Sequence, residues 1–301
     1  MCESRKPKLP NYDSPSELKS FLDFSGLGMQ KKFGQNFLTD RNTRNDLLSF
    51  LKIKEGTRVW EVGAGLGAMT ELLLQRGANL TAFEIDKGFS KLLKFFFTGQ
   101  NKFRLVEGDV QKTWKLEIKE KGKPEIFFGN LPYNIALDLI SSIIEQEVIF
   151  DSMLITVQKE AAERIIAKPG NKNYTVLSVL CSIFYECKIV KTIPASSFWP
   201  KPNVESAAVL FTPKKDFPAG RDFILFVKTV KALFSSRRKT VKNNLSAWLK
   251  SNGFTCTAEE ILKTCGLNEN LRAENLSLYD FLSLSNIIAK TRTEGFAKAE
   301  Y

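Results

Sequence analysis

Along the first two thirds of the chain, short continuous apolar runs alternate with longer stretches whose apolar residues recur three and four apart. The runs at 57–62, 80–83, 103–109, 125–129 and 153–157 have the length and β-branched or aromatic content of buried strands. Helical spacing follows them: through Leu72, Leu73 and Leu74 after the first, over 134–145 after the fourth, and with Glu160 and Arg164 four apart after the fifth. Strands and helices in this alternation predict an α/β fold with a doubly wound, mostly parallel sheet. Ahead of the sheet, Ser14-Pro15-Ser16-Glu17 has capping-box spacing and predicts a helix over 15–22. Asp40 is placed to cap another, running through Leu47, Leu48 and Leu51. Beyond Pro213 the strand-like runs stop, and the spacing predicts helices over 222–234, 237–251, 258–264 and 276–289. Residues 213–220, with two prolines, are the expected boundary. The chain then divides into an extension (1–29), an α/β domain (30–213) and a small helical domain (214–301).

Chemistry concentrates at the carboxyl ends of the expected strands, where open α/β sheets hold their ligands. After the first strand, Gly63-Ala64-Gly65-Leu66-Gly67 lets a ligand approach the backbone closely. Glu84 ends the second strand and is placed to accept both ribose hydroxyls of an adenosine cofactor. Gly63, Gly65 and Ala68 also satisfy the dinucleotide fingerprint, so at this step a nicotinamide enzyme stays open. Asp109, ending the third strand, suits either an adenine amino group or a plain helix cap. After the fourth strand comes Asn130-Leu131-Pro132-Tyr133. The Asn130 side-chain oxygen and the Leu131 carbonyl can both accept from an exocyclic adenine amine, aiming its lone pair at a methyl donor. Pro132 would fix the carbonyl's direction and Tyr133 would offer a stacking face. The order of glycine loop, two adenosine-facing acids and amine-positioning turn is that of a methyltransferase using S-adenosylmethionine. A dehydrogenase gives no role to Asn130 and Tyr133. Glu61, two residues before Gly63, strengthens the choice, because an acid there suits a methionine ammonium and opposes a pyrophosphate. Phe198, in a loop stiffened by Pro200 and Pro202, is placed to sandwich an extruded base against Tyr133.

Composition narrows the setting. The 301 residues include five cysteines, no pair of them at two-residue metal-ligand spacing, and no histidine, which predicts a reducing cytoplasm, no metal site and no histidine base. The first 29 residues balance four basic and four acidic side chains without an apolar stretch, unlike a secretory signal or transit peptide. No apolar run is long enough to span a membrane. The net charge of +11 is uneven: residues 214–250 hold ten basic and two acidic side chains, a footprint expected for a nucleic-acid partner. Arg237, Arg238, Lys239 and Lys242, on the expected basic helix, are the docking candidates, together with Lys31 and Lys32.

Gln35-Asn36-Phe37-Leu38, Glu61 to Gly67, Asn130 to Asn134, Gln158-Lys159-Glu160, Phe198 to Ala207, Arg237 to Thr240 and Leu271 to Glu274 occur in the order seen in the ribosomal small-subunit RNA adenine dimethyltransferases, which the chain resembles over roughly residues 30–290. The resemblance implies a Rossmann-like methyltransferase domain and a small helical C-terminal domain. It implies transfer of four methyl groups to two adjacent adenosines in the 3′-terminal hairpin of small-subunit rRNA; the pre-assembled small subunit is the expected partner and a monomer the expected state. It also implies that Asn36, Leu38, Gly63, Glu84, Asp109 and Asn130 contact S-adenosylmethionine. The macrolide-resistance rRNA methyltransferases share the cofactor motifs but differ in the C-terminal half. A non-catalytic assembly factor on the same fold is the alternative of another class, and the intact Asn130, Tyr133, Glu84 and Asp109 argue against it. Ala136, where many members carry serine, and the N-terminal extension are the departures.

Overall fold

The computed structural model describes residues 9–30, 34–131, 133–218 and 222–297, with backbone alone for 133, 134 and 292–297. The chain forms two compact units, Met1–Ile140 with Val148–Ala162 and Cys187–Pro213, and Ser141–Glu147 with Glu163–Glu186 and Lys214–Tyr301. The helical unit thus draws on more of the chain than its carboxyl end.

In chain order the first unit begins with α1 (Pro15–Phe24), β1 (Phe37–Leu38) and α2 (Arg41–Ser49). The βα alternation follows as β2 (Arg58–Val62), α3 (Ala68–Gln75), β3 (Asn79–Glu84), α4 (Lys87–Phe96), β4 (Phe103–Glu107), α5 (Val110–Lys121), β5 (Ile126–Asn130), α6 (Tyr133–Glu145), β6 (Ser152–Gln158) and α7 (Lys159–Ile166). After α8 (Val176–Phe184) come β7 (Tyr185–Ile193), β8 (Phe198–Trp199) and β9 (Ser206–Pro213). The main sheet has seven strands in the order β4-β3-β2-β5-β6-β9-β7. β4, β3, β2, β5 and β6 run parallel, whereas β9 is antiparallel to β6. The order reverses between β2 and β5, so the crevice beyond their carboxyl ends is the topological switch point. Their register sets Val62 beside Gly129, which brings the glycine loop and Asn130 to neighbouring strand ends.

Strand burial explains the apolar runs. Phe127, Leu154, Ile155 and Val157 are fully enclosed, as strands covered on both faces require. The helices start where capping predicts: Ser14 accepts from the Glu17 N–H, and Asp40 from the Asn42 N–H.

Residues 9–29, expected as an extension, pack into this unit. Leu18 and Leu22 of α1 join Tyr12, Leu66 and Phe89 in one apolar cluster. The Tyr12 hydroxyl donates to the Leu66 carbonyl at 2.8 Å, tying the segment to the glycine loop. Asp13 pairs with Arg41 and with the buried Arg44, whose guanidinium lies 5.6 Å from the Tyr12 ring centre. Tyr12→Phe would leave a buried carbonyl without its donor, so stability should fall by about 1–3 kcal/mol. Denaturant titration of the full chain checks this, and an unchanged midpoint would remove the anchoring role.

The second unit packs α8 with α9 (Phe223–Leu233), α10 (Val241–Ser251), α11 (Ala258–Thr264) and α12 (Leu278–Ala297). Phe226, Leu233, Leu245, Phe281 and Ile288 fill its core, with Phe234 stacked on Phe281 at 5.8 Å. One expected boundary is corrected here. α10 begins at Val241, capped by the Thr240 side chain on the Asn243 N–H, and Arg237, Arg238 and Lys239 form a turn before it. Arg238 and Lys242 therefore do not share a face of one helix.

Candidate active site

Two sets of strand ends and one loop build a single cleft in the first unit. Residues 34–38 form one wall, Glu61 to Leu66 the floor, and Phe83 to Ile85, Gly108 to Val110, Asn130 and Leu131 the rest. Every proposed cofactor contact, Asn36, Leu38, Glu61, Gly63, Gly65, Glu84, Asp109 and Asn130, lines it.

Glycine is required at Gly65, where φ is +56° and the backbone N–H donates to Glu84 Oε2 at 2.7 Å. The other Glu84 oxygen accepts from the Asp86 N–H at 2.8 Å. Burial raises the Glu84 pKa, while these backbone donors and that of Ile85 oppose the rise and Asp86's charge adds to it. Each oxygen retains a lone pair for a further donor. Asp86 in turn accepts from the side-chain amides of Gln30 and Gln35, at 3.1 and 3.0 Å, which ties the 34–38 wall to the acid. Asp109 caps α5 on the Gln111 N–H and also lines the cleft.

Glu61 is enclosed. The Thr70 hydroxyl donates to its Oε2 at 2.6 Å. Burial pushes Glu61 up to about 8 against that hydrogen bond, with the charge of Glu84 adding to the rise. The folded state therefore keeps a proton on Glu61 that the unfolded chain loses near its ordinary value. Its contribution to stability is complete at acid pH and is lost as the pH climbs from about 4.5 to about 8.

Asn130 ends β5 with both ends of its amide committed. Its Nδ2 donates to the Asn36 carbonyl at 3.2 Å, and its Oδ1 accepts from the Thr156 hydroxyl. These partners fix which way the amide faces and leave one lone pair on Oδ1. Thr156 reaches it because β5 and β6 place the two residues in register. Gly129 makes the turn possible, since a Cβ there would stand 2.7 Å from a methyl carbon of Leu131. Gly129→Ala should therefore displace Leu131 and cut turnover more than cofactor affinity, a difference that paired kinetics and calorimetry would resolve.

Three of the expected site residues have partners within the protein. Phe198 is 4% exposed and packs with Leu38, Leu47 and Leu48. β1 and β8 pair Leu38 with Phe198 and Phe37 with Trp199, so strand alternation turns Phe198 inward. Trp199, turned the other way, keeps partial exposure and stacks on Phe37 at 6.2 Å. Arg237 and Lys242 are not free cations: Arg237 pairs with Glu274, and Lys242 with Glu259 and Glu269. Arg238 and Lys239 are exposed. Lys31, Lys32, Pro132 and the Tyr133 side chain lie outside the described residues. Thr156, Asp86, Thr70 and Gln35 were missed as supports; a threonine inside the apolar run 153–157 was the one signal for Thr156.

The donor set fits S-adenosylmethionine. An enclosed acid for an ammonium, an acid with unused acceptors for ribose hydroxyls and Asp109 for an adenine amine line one cleft, with Ile85, Phe89 and Val110 as apolar wall. No group of three or more metal-ligating acids or cysteines occurs among the described residues.

Comparison with known proteins agrees. The family described as "Ribosomal RNA adenine dimethylase" matches residues 26–290. "Ribosomal RNA small subunit methyltransferase A" of Treponema denticola is 67% identical over 281 residues, covering 93% of this chain and 96% of that one. A dimethyladenosine transferase structure from Plasmodium falciparum superposes with a TM-score of 0.70 at 26% identity, over 84% of this chain and 97% of that one. The structure of the 23S rRNA methyltransferase ErmE shares the fold, with a TM-score of 0.59 at 20% identity over 84% of this chain and 99% of that one.

Proposed function

The chain belongs to the ribosomal RNA adenine dimethylase family, and from that premise we propose that it methylates N6 of two adjacent adenosines in the 3′-terminal hairpin of small-subunit rRNA, giving N6,N6-dimethyladenosine during small-subunit biogenesis. It is an rRNA methyltransferase by family and by fold. S-adenosylmethionine, when bound, would supply an electrophilic methyl group on a sulfonium. Glu61 would hold its ammonium, Glu84 its ribose, Asp109 its adenine, and Asn36, Leu38, Gly63 and Gly65 would frame it.

The observation that carries the proposal is the oriented Asn130 amide at the cleft's edge. Its remaining Oδ1 lone pair accepts one N–H of an extruded adenine, and the Leu131 carbonyl accepts the other. The amine is then held pyramidal, with its nitrogen lone pair free to attack. The proton leaves to water once nitrogen carries the methyl group, so no general base is required. Pro132 and Tyr133 complete the turn as stiffener and stacking face. The same geometry serves the second transfer with one acceptor still in use.

Pre-assembled small subunits are the proposed substrate, a monomer in the cytoplasm the acting form, and the basic residues of the second unit the docking surface. No helix among the described residues is long and apolar enough to cross a membrane. Mass spectrometry of small-subunit rRNA from cells with and without the protein tests the reading: both dimethyladenosines should vanish without it, and their persistence would overturn it.

Glu61 adds a test of cofactor identity. A cationic ligand needs Glu61 ionised, so below about pH 8 binding must expel its proton. S-adenosylmethionine affinity should fall as pH drops from 8 to 6, with proton release visible as a buffer-dependent enthalpy. Glu61→Gln should abolish that release.

A further inference from the structure

The carboxyl end of β6 carries Gln158-Lys159-Glu160, a motif with no part in the chemistry above. β6 and β9 set Gln158 beside Ser206. One residue on, the Lys159 N–H donates to the Glu205 carbonyl at 3.0 Å, and Lys159 Nζ pairs with Glu205 Oε2 at 2.9 Å. The backbone of Gln158 is therefore held by a paired and pinned strand end, and a side chain mounted on such an element has a well-defined reach. That side chain is half-buried, and its amide has no hydrogen-bond partner among the described residues.

Strand alternation puts Thr156 and Gln158 on one face of the sheet, about 6.4–6.8 Å apart along the strand. Thr156 donates its hydroxyl to Asn130 Oδ1, so Gln158 projects from the same face one step beyond the amide that would hold the adenine amine. Gln158 does not line the cofactor cleft. It stands on β6, on the side of β5 away from β2, β3 and β4, whose ends carry the cofactor acids. The sheet thus offers a substrate side as well as a cofactor side.

An amine gripped only at its nitrogen can carry the ring round with it. Turning the amine out of the ring plane, which frees its lone pair, requires that the ring be held too. Adenine N1 is an acceptor beside the amine-bearing carbon, on the edge by which extruded bases are read. We infer that Gln158 Nε2 donates to N1 of the target adenine and holds the ring against the pull of the Asn130 and Leu131 acceptors. The inference rests on the adenine N6 reading above and assigns the residue that sets the plane of the base. The second transfer, with one amine N–H left to grip, depends on this contact most.

Gln158→Leu should slow the first transfer to undimethylated small subunits by about tenfold, the scale of one hydrogen bond left unmade. The second should slow further, so that N6-monomethyladenosine accumulates, which mass spectrometry of the product reads. S-adenosylmethionine affinity and thermal stability should match those of the unmodified protein. Gln158→Glu carries its own control: ionised it turns only acceptors toward N1, and protonated it donates. Its monomethyl fraction should therefore fall as the pH is lowered from about 8 to about 6 at saturating cofactor. Synthetic 3′-terminal hairpins with adenosine or 1-deazaadenosine at the target identify the atom read: loss of N1 should weaken binding to the unmodified protein and leave Gln158→Leu indifferent. Dimethylation by Gln158→Leu at the unmodified rate, or equal weakening of both proteins on 1-deazaadenosine, would overturn the contact. Absence of methyl transfer to the subunits by the unmodified protein would refute the substrate reading instead, and the hairpin comparison would still decide on Gln158.

Discussion

Asn130→Ala is expected to lower methyl transfer by about 10²–10³-fold or more while S-adenosylmethionine still binds. The substitution removes the Oδ1 acceptor that holds the adenine amine, and it also frees the Thr156 hydroxyl and the Asn36 carbonyl from their partners. Loss of the first acts on the chemical step, because a planar amine keeps its lone pair in the ring and points no electron density at the methyl carbon. Loss of the other two loosens the 34–38 wall and should weaken cofactor binding by less than about tenfold, roughly one neutral hydrogen bond. Thr156→Val separates the effects. It keeps the acceptor and its bond to Asn36 but removes the group that fixes Oδ1, so a moderate fall in kcat at unchanged KM for the cofactor is expected. Near-normal turnover in Asn130→Ala would eliminate the amine-positioning role.

Glu84→Ala should weaken S-adenosylmethionine binding by about 10- to 100-fold, the equivalent of a hydrogen bond or two to a charged acceptor at about 1.5–3 kcal/mol. The carboxylate does more than face a ribose. It also receives the Gly65 and Asp86 N–H groups, so alanine leaves two buried donors unpaired and slackens the glycine loop as well. Titration calorimetry on protein shown to be folded should register the loss, with no affinity gained for nicotinamide dinucleotides. Tight NADH binding by the unmodified protein would instead revive the dinucleotide reading that Gly63, Gly65 and Ala68 left open.

The sheet and the cleft were legible because local chemistry and tertiary position coincide there. Apolar runs marked β2 to β6, and the residues that end them, Gly63, Glu84, Asp109 and Asn130, are cleft residues by virtue of lying at parallel strand ends. What stayed hidden depends on who lies beside whom. Thr156 supports Asn130 only through the register of β5 and β6, which no single strand encodes. Phe198 reads as a loop aromatic until its pairing with Leu38 turns it into the core. The basic helix was started four residues early because Arg237, Arg238 and Lys239 are adequate helix formers. The Thr240 cap and the pull of Glu274 on Arg237 decide otherwise. Residues 9–29 looked like an appendage because the partners of Tyr12 and Leu22 lie far along the chain.

The pairing of β1 with β8 has a consequence for the order in which the protein becomes competent. The Thr39 hydroxyl and backbone N–H both bond the Ser197 carbonyl, across 158 positions of sequence. A chain still being synthesised carries its glycine loop, Glu84 and Asn130 long before the segment that secures the Gln35 to Leu38 wall has been made. Nascent chains halted short of β8 should therefore hold S-adenosylmethionine weakly or not at all, and affinity should arrive in one step once Phe198 and Trp199 have emerged. Methylating capacity is thus withheld from translation products that stop short of β8.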